Sequence, residues 1–294
     1  MSFVEDVRWM RDYGITRGQA FELWQHPTER RDYGGNHPAL LYLKDIEVTF
    51  AGFKALDLKE FYVNRGELRF LIGPNGAGKT TLLDVVCRKV NPTHGSIYYD
   101  GFFQLKDFTI SEVARLGICR KFQTPSIFPD LTVQQNMELA CPGNRSVLSG
   151  LRYKLSREAR NEMNAMADLI GVAEYLGLPA KQLSHGQKQW LEIGLTLLQK
   201  PKLLMVDEPV AGMSEKERYA TGLLLREASR DCAVLVVEHD MQFVREFSNI
   251  VSVLHEGRII AEGNFDTVAR NPQVVDVYLG RGGAEADSTE ANHA

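Results

Sequence analysis

Gly73-Pro74-Asn75-Gly76-Ala77-Gly78-Lys79-Thr80-Thr81 lies between two apolar stretches. Before it, Leu68, Phe70, Leu71 and Ile72 form a short run that reads as a buried strand. After it, Thr80 to Val86 continues without Gly or Pro and reads as a helix. The segment fits the pattern Gly-x4-Gly-Lys-Ser/Thr. Strand, glycine-rich loop and helix is the order that phosphate binding needs. Glycines let backbone N–H groups close around the oxygens, and the helix start adds the positive end of its dipole. On this reading Lys79 reaches the β- and γ-phosphates and the Thr80 hydroxyl binds Mg²⁺. The competing reading is an ordinary glycine-rich turn, and the flanking strand and helix argue against it.

The rest of the composition narrows the class. The chain has 294 residues, room for one large domain or two small ones, and 44% of them are hydrophobic, enough for a sizeable core. Its 34 basic and 38 acidic residues leave a net charge of −4, with no overall footprint for nucleic acid. Cys87, Cys119, Cys141 and Cys232 are far apart, form no Cys-x-x-Cys, and read as reduced thiols near the core of a cytosolic chain. No apolar run approaches the ~18 residues of a membrane span. Glu5, Asp6, Arg8 and Arg11 leave no apolar leader at the start. A soluble chain is expected, with any membrane role supplied by a partner.

Taken in order, residues 1–38 read as an extension. An α/β domain is expected over 39–280, and 281–294 is an acidic, small-residue tail expected to be disordered. Strands are expected over Leu41–Phe50, through Ala55, Leu58 and Phe61, over Ser96–Tyr99, and from Gly117 to Phe122. From about 124 to 189 strand signals vanish and helices are expected at Val133–Leu139, Lys154–Gly171 and Val172–Leu176, so a helical insertion divides the core. The run Arg152, Lys154, Arg157, Arg160 is interleaved with Glu158 and Glu162, and reads as a solvated helix face. A helix from Leu183, strands at Leu203–Val206 and Ala233–Val237, helices at Glu215–Ser229 and Met241–Phe247, and a hairpin across Glu256-Gly257 follow. One last helix is expected from Phe265 to about Tyr278.

Two further stretches carry chemistry. Leu203-Leu204-Met205-Val206-Asp207-Glu208 is an apolar strand that delivers two carboxylates at its end. Asp207 is placed to hold Mg²⁺, and Glu208 to orient or deprotonate an attacking water. Leu183-Ser184-His185-Gly186-Gln187 opens a helix. It reads equally as an anion site at a helix start and as a capping box between Ser184 and Gln187.

Together with Gln123 and His239, these stretches resemble the ATP-binding cassette (ABC) ATPases, whose signature is Leu-Ser-x-Gly-Gln. The resemblance covers roughly residues 40–280. It implies an α/β P-loop NTPase (RecA-like) core with an antiparallel β subdomain and an inserted α-helical subdomain. By resemblance Phe50 stacks on adenine; Gly73, Asn75, Gly76, Gly78, Lys79, Thr80 and Thr81 cradle phosphate; and Thr80, Gln123 and Asp207 serve Mg²⁺. Glu208 is the implied catalytic base, Gln123 touches metal or water, and His239 contacts the γ-phosphate. Ser184, Gly186 and Gln187 would face the ATP of a second ATPase subunit in a head-to-tail dimer, homomeric or heteromeric. Permease subunits at the cytoplasmic face of the membrane and a solute-binding protein outside it complete the implied assembly. A permease helix is expected beside Gln123, near Pro125, Ile127 and Phe128, although these apolar residues could equally be core.

Two positions depart from the common pattern. His185 replaces a glycine, so its side chain must turn away from phosphate or donate to it. Ser214 stands where many members have aspartate. Val210-Ala211-Gly212-Met213 resembles the branch serving branched-chain amino acid and amide importers. Within it, Tyr42–Leu56, Leu183–Gly194 with His185 and Trp190, Asp207–Met213, Val237–Val244 and Val277–Gly280 most resemble the D-type ATPase of urea importers. Urea import is therefore the expected role, with branched-chain amino acid import as the alternative. A cytosolic ABC ATPase acting on ribosome or DNA fits less well, because the chain has one cassette, no heptad run and negative charge. Glu208 and His239 argue against a module without turnover.

Overall fold

The computed structural model describes residues 39–101, 103–121, 127–141 and 155–279. The 1–38 extension, Gln123, Pro125, Arg152, Lys154 and the 281–294 tail lie outside them. Two sheets form. The first is antiparallel, in the order β2-β1-β4-β5, from β1 (Ala39–Phe50), β2 (Phe53–Asn64), β4 (His94–Tyr99) and the two-residue β5 (Phe103–Gln104). Its amphipathic strands bury Leu41, Leu43, Ile46 and Val48 of β1 against Val63, Phe61, Leu58 and Leu56 of β2. The β1–β2 turn places Ala51 at φ +47 and Gly52 at φ +88, the two positive values that a two-residue hairpin needs.

The second sheet runs β10-β9-β3-β8-β7-β6. Its strands are β3 (Leu68–Ile72), β6 (Ile118–Lys121), β7 (Leu203–Asp207), β8 (Ala233–Val237), β9 (Ile250–His255) and β10 (Arg258–Gly263). All pairings are parallel except that of β10 on β9. Every residue of β3, β7 and β8 is buried, so they read as near-continuous apolar runs rather than alternating ones, interrupted by Arg69 in β3 and ended by Asp207 in β7. Alternate side chains divide between two cores. Leu68, Phe70, Ile72, Leu204, Val206, Val234 and Val236 face one way. Leu71, Leu203, Met205, Leu235 and Val237 face the antiparallel sheet and α1 (Lys79–Val86).

The first of these faces is covered by α5 (His185–Leu197), α6 (Glu215–Ala228) and α7 (Met241–Phe247), with α3 (Val133–Ala140) and α4 (Arg157–Leu169) of the helical insertion beyond them. A short α2 (Ile110–Arg115) precedes β6, and α8 (Phe265–Ala269) and α9 (Pro272–Leu279) end the described chain. The expected α/β core, antiparallel sheet and helical insertion are therefore all present.

The differences are local. The single last helix is two, because Pro272 lacks an N–H and starts a new helix at its first position. The helix expected at Val172–Leu176 is one 3-10 turn, Ala173–Tyr175. α4 begins at Arg157, where Ser156 caps it by accepting from the Ala159 N–H. β5, two residues long, carries too little pattern to be read from sequence.

Candidate nucleotide site

Every motif of the parallel sheet lies beyond the carboxyl end of a strand. The glycine-rich loop follows β3, Asp207 and Glu208 end β7, and His239 follows β8. Open α/β sheets bind ligands at this edge. The loop is shaped by close approach. Gly78 caps α1 at φ +106, and a Cβ there would stand 2.6 Å from the Ala55 carbonyl oxygen. The Ala77 carbonyl accepts from the Gly257 N–H at 2.9 Å, so the turn between β9 and β10 braces the loop from behind. Lys79 Nζ donates to the Gly73 and Pro74 carbonyls at 2.7 and 3.0 Å. Burial lowers the Lys79 pKa, and the nearby Glu208 and Asp207 carboxylates oppose that shift.

Those two carboxylates differ. Asp207 is 3% exposed, and its Oδ2 accepts from Arg120 Nη2 at 3.1 Å. Glu208 is half-exposed and sits at φ +48, a left-handed value that costs a non-glycine residue about 1–3 kcal/mol. Its N–H donates to the Val237 carbonyl at 2.9 Å, tying it to β8. His239 Nδ1 lies 3.5 Å from Glu208 Oε1. Lys79, Asp207, Glu208 and His239 thus form one cluster. Phe50 stands at the tip of the β1–β2 hairpin, 47% exposed, and its cross-strand neighbour Phe53 is 66% exposed.

Thr80 and Asp207 are hard oxygen donors. Mg²⁺ takes few protein ligands and fills its other positions with water and phosphate oxygens, so this pair fits the ion. The loop leaves room for a phosphate, because a Cβ built on Gly76 would meet nothing within 4 Å. Asn75 and Gly76 are exposed there and Thr81 is half-buried.

Ser184–Gln187 belongs to another surface. Ser184 Oγ accepts from the Gln187 N–H at 3.2 Å, and Gln187 Oε1 accepts from the Ser184 N–H at 2.8 Å. The capping box is real, and the outward first-turn N–H groups of α5 leave the anion reading compatible with it. A side chain at Gly186 would overlap the Glu217 carboxylate. His185 Nε2 donates to the Ala211 carbonyl at 3.1 Å, so it turns to the loop after Glu208. Ser214 caps α6 and shares a capping box with Glu217, the cap an aspartate would also provide. Trp190 Nε1 donates to Thr221 Oγ1 at 2.8 Å and ties α5 to α6.

Sequence reasoning missed three groups. Arg120 and Lys121 are adjacent on β6 and point to opposite faces. Arg120 donates to Asp84 of α1 at 2.6 Å as well as to Asp207, and Lys121 lies 3.1 Å from Glu192 of α5. All but Asp84 are nearly buried. Two cations inside a strand between apolar neighbours were the available signal. The third group is Glu238, beside His239, whose burial nothing in the sequence announces.

A family model described as ABC transporter matches residues 56–211. A second, described as branched-chain amino acid ATP-binding cassette transporter, matches residues 258–284. The high-affinity branched-chain amino acid transport ATP-binding protein BraF of Pseudomonas aeruginosa is 31% identical over 82% of this chain and 98% of its own length. The probable branched-chain amino acid transport ATP-binding protein LivG of Methanocaldococcus jannaschii is 34% identical over 82% and 97%. Among solved structures, an ATP-binding cassette of an ABC transporter in its ADP conformation superposes with a TM-score of 0.71 at 30% identity, over 82% of this chain and 99% of that one. Matched over most of both lengths in sequence and in fold, the chain belongs to the ABC transporter family, as a nucleotide-binding subunit that hydrolyses ATP.

Proposed function

We propose that this chain energises an importer of branched-chain amino acids, as one of two ATPase subunits docked on a membrane permease. The observation that carries the solute class is the C-terminal match at 258–284 to the branched-chain amino acid cassette model, supported by the names of BraF and LivG. This exchanges the order of the two solutes expected from sequence.

The chemistry follows from the cluster. Lys79 and the loop N–H groups hold the β- and γ-phosphates, while Phe50 offers a ring to the base. Thr80 and Asp207, with Gln123, hold Mg²⁺, which would neutralise charge on the phosphate oxygens. Glu208 orients a water in line with the γ-phosphorus and takes its proton; the new P–O bond forms as the bond to the β-phosphate oxygen breaks and ADP leaves. His239, within reach of Glu208, contacts the γ-phosphate. The start of α5, with Ser184, Gly186 and Gln187, faces the nucleotide of the second subunit.

A groove of about 380 Å³ opens between α2, β6, α3 and α5, lined by Ile110, Phe128, Leu139 and Leu195, with Lys121 and Glu192 among its walls. Ile110, Phe128 and Leu139 are exposed apolar residues. This groove takes the permease helix. No helix among the described residues is long and apolar enough to cross a membrane.

Urea stays as the second reading, carried by the stretches around His185 and Trp190. Uptake of labelled leucine and labelled urea in cells lacking the gene, complemented with wild type or Glu208→Gln, separates the two. Leucine uptake restored by wild type and not by Glu208→Gln supports the proposal. Restoration of urea uptake alone transfers it to the second reading, and no change in either solute refutes both.

A further inference from the structure

One buried acid at this edge has no part in the chemistry above. Glu238 follows β8 directly and is 1% exposed. Its Oε1 accepts from the Val210 N–H at 3.3 Å, and its Oε2 from the His239 and Asp240 N–H groups at 2.9 and 3.3 Å. Val210 is two residues past Glu208. One carboxylate therefore grips both the loop that leaves β7 with Glu208 and the loop that leaves β8 with His239. Its own N–H reaches the Leu71 carbonyl of β3, at 3.4 Å, next to the strand end that opens the phosphate loop.

Keeping a carboxylate out of water is costly unless hydrogen bonds compensate. Burial raises the Glu238 pKa, and the three backbone N–H bonds, with a smaller contribution from His239, oppose it. The donors come from two loops just beyond the β7–β8 ladder, whose last bond runs from the Glu208 N–H to the Val237 carbonyl, and Glu238 carries the connection on to Val210, His239 and Asp240. An uncharged isostere cannot replace the acid. Glutamine has one acceptor oxygen and one NH2 group, so a donor would face either the Val210 N–H or the His239 and Asp240 pair.

We infer that Glu238 is a positioning residue for ATP hydrolysis, setting the separation of Glu208 from His239 by holding both of their loops through one carboxylate. The inference rests on the roles given above to those two residues.

The test compares ATPase kinetics of the full chain as wild type, Glu238→Gln and Glu238→Asp, with Glu208→Gln alongside. Glu238→Gln lowers kcat by roughly tenfold or more while KM for ATP stays within about twofold. Glu238→Asp keeps two acceptor oxygens but is one methylene shorter and spans the two loops less well, so its kcat lies between the others, at least about threefold above the glutamine variant and at least about twofold below wild type. A residue that matters only by filling space gives the reverse order, because glutamine preserves its shape; that order overturns the inference. Loss of kcat with a matching rise in KM also overturns it, since the whole nucleotide site has then collapsed. If Glu238→Gln does not fold, Glu238→Asp carries the same test through its kcat and KM, and a wild-type kcat in that variant refutes the inference. Normal turnover by Glu208→Gln refutes the parent reading, whereas its loss beside an unaffected Glu238→Gln refutes this inference alone.

Discussion

At the scale of single residues, the site depends on a few side chains whose surroundings make them unequal. Lys79 is half-buried between its own loop carbonyls and the Asp207 and Glu208 carboxylates. Lys79→Ala removes the cation but leaves the loop's backbone donors, and is expected to weaken ATP binding by at least about 100-fold, as loss of a charge-assisted contact of roughly 3 kcal/mol implies. Equilibrium binding of a fluorescent ATP analogue measures this, and undiminished affinity refutes the loop assignment. Glu208→Gln keeps the side chain's shape and the strained φ but removes the base. Turnover should fall by about 10²–10⁴-fold with ATP retained, read as phosphate release beside bound nucleotide. The residues of both predictions were legible in the sequence, because a glycine-rich loop and a strand ending in paired acids are local patterns. Glu238 was not. Whether the acid beside His239 faces solvent or two loop backbones depends on Val210, 28 positions away, and nothing local reports it.

At the scale of elements, β6 is the edge strand that carries the ties between subdomains. Its Arg120 joins α1 to the end of β7, and its Lys121 joins the sheet to α5 at the wall of the groove proposed for the permease helix. Lys121 and Glu192 are 3% and 4% exposed at the side chain. Breaking such a pair from one side removes a buried counter-charge and leaves the other charge less well compensated. Lys121→Met should therefore cost about 3–5 kcal/mol, while Lys121→Met with Glu192→Met should recover most of the loss. Chemical unfolding midpoints of the two variants check this; equal destabilisation by single and double would show that the pair is not coupled. The helix starts were readable one by one, since Thr109, Thr132, Ser184 and Ser214 each precede a Glu or Gln by three and each forms its capping box. The break before Pro272 was also in the sequence, as a proline that cannot continue a helix.

Over the whole molecule, Cys87, Cys141 and Cys232 lie in the two cores on either side of the parallel sheet, and Cys119 is half-buried on β6. Burial pushes Cys87 and Cys119 up to about 11 and Cys232 to about 12, and raises Cys141 as well. The thiolate is the reactive form. At pH 8 the native chain should therefore resist alkylation, gain reactivity only as pH rises toward those values, and label at all four positions once unfolded. Mass spectrometry after a short pulse of iodoacetamide checks this, and fast labelling of the native chain contradicts the burial.

Fold class and nucleotide chemistry could be read directly from the chain. Periodicity, turn residues and contiguous motifs act over a few residues, and each carries its own physical signal. Long-range pairings cannot be read that way. The strand order that sets β3 between β8 and β9, the bracing of Ala77 by Gly257, the turn of His185 toward Ala211 and the double grip of Glu238 all join positions far apart in sequence. Such contacts exist only once both cores have closed, because burial in three dimensions, and not neighbourhood along the chain, decides which polar groups must find one another.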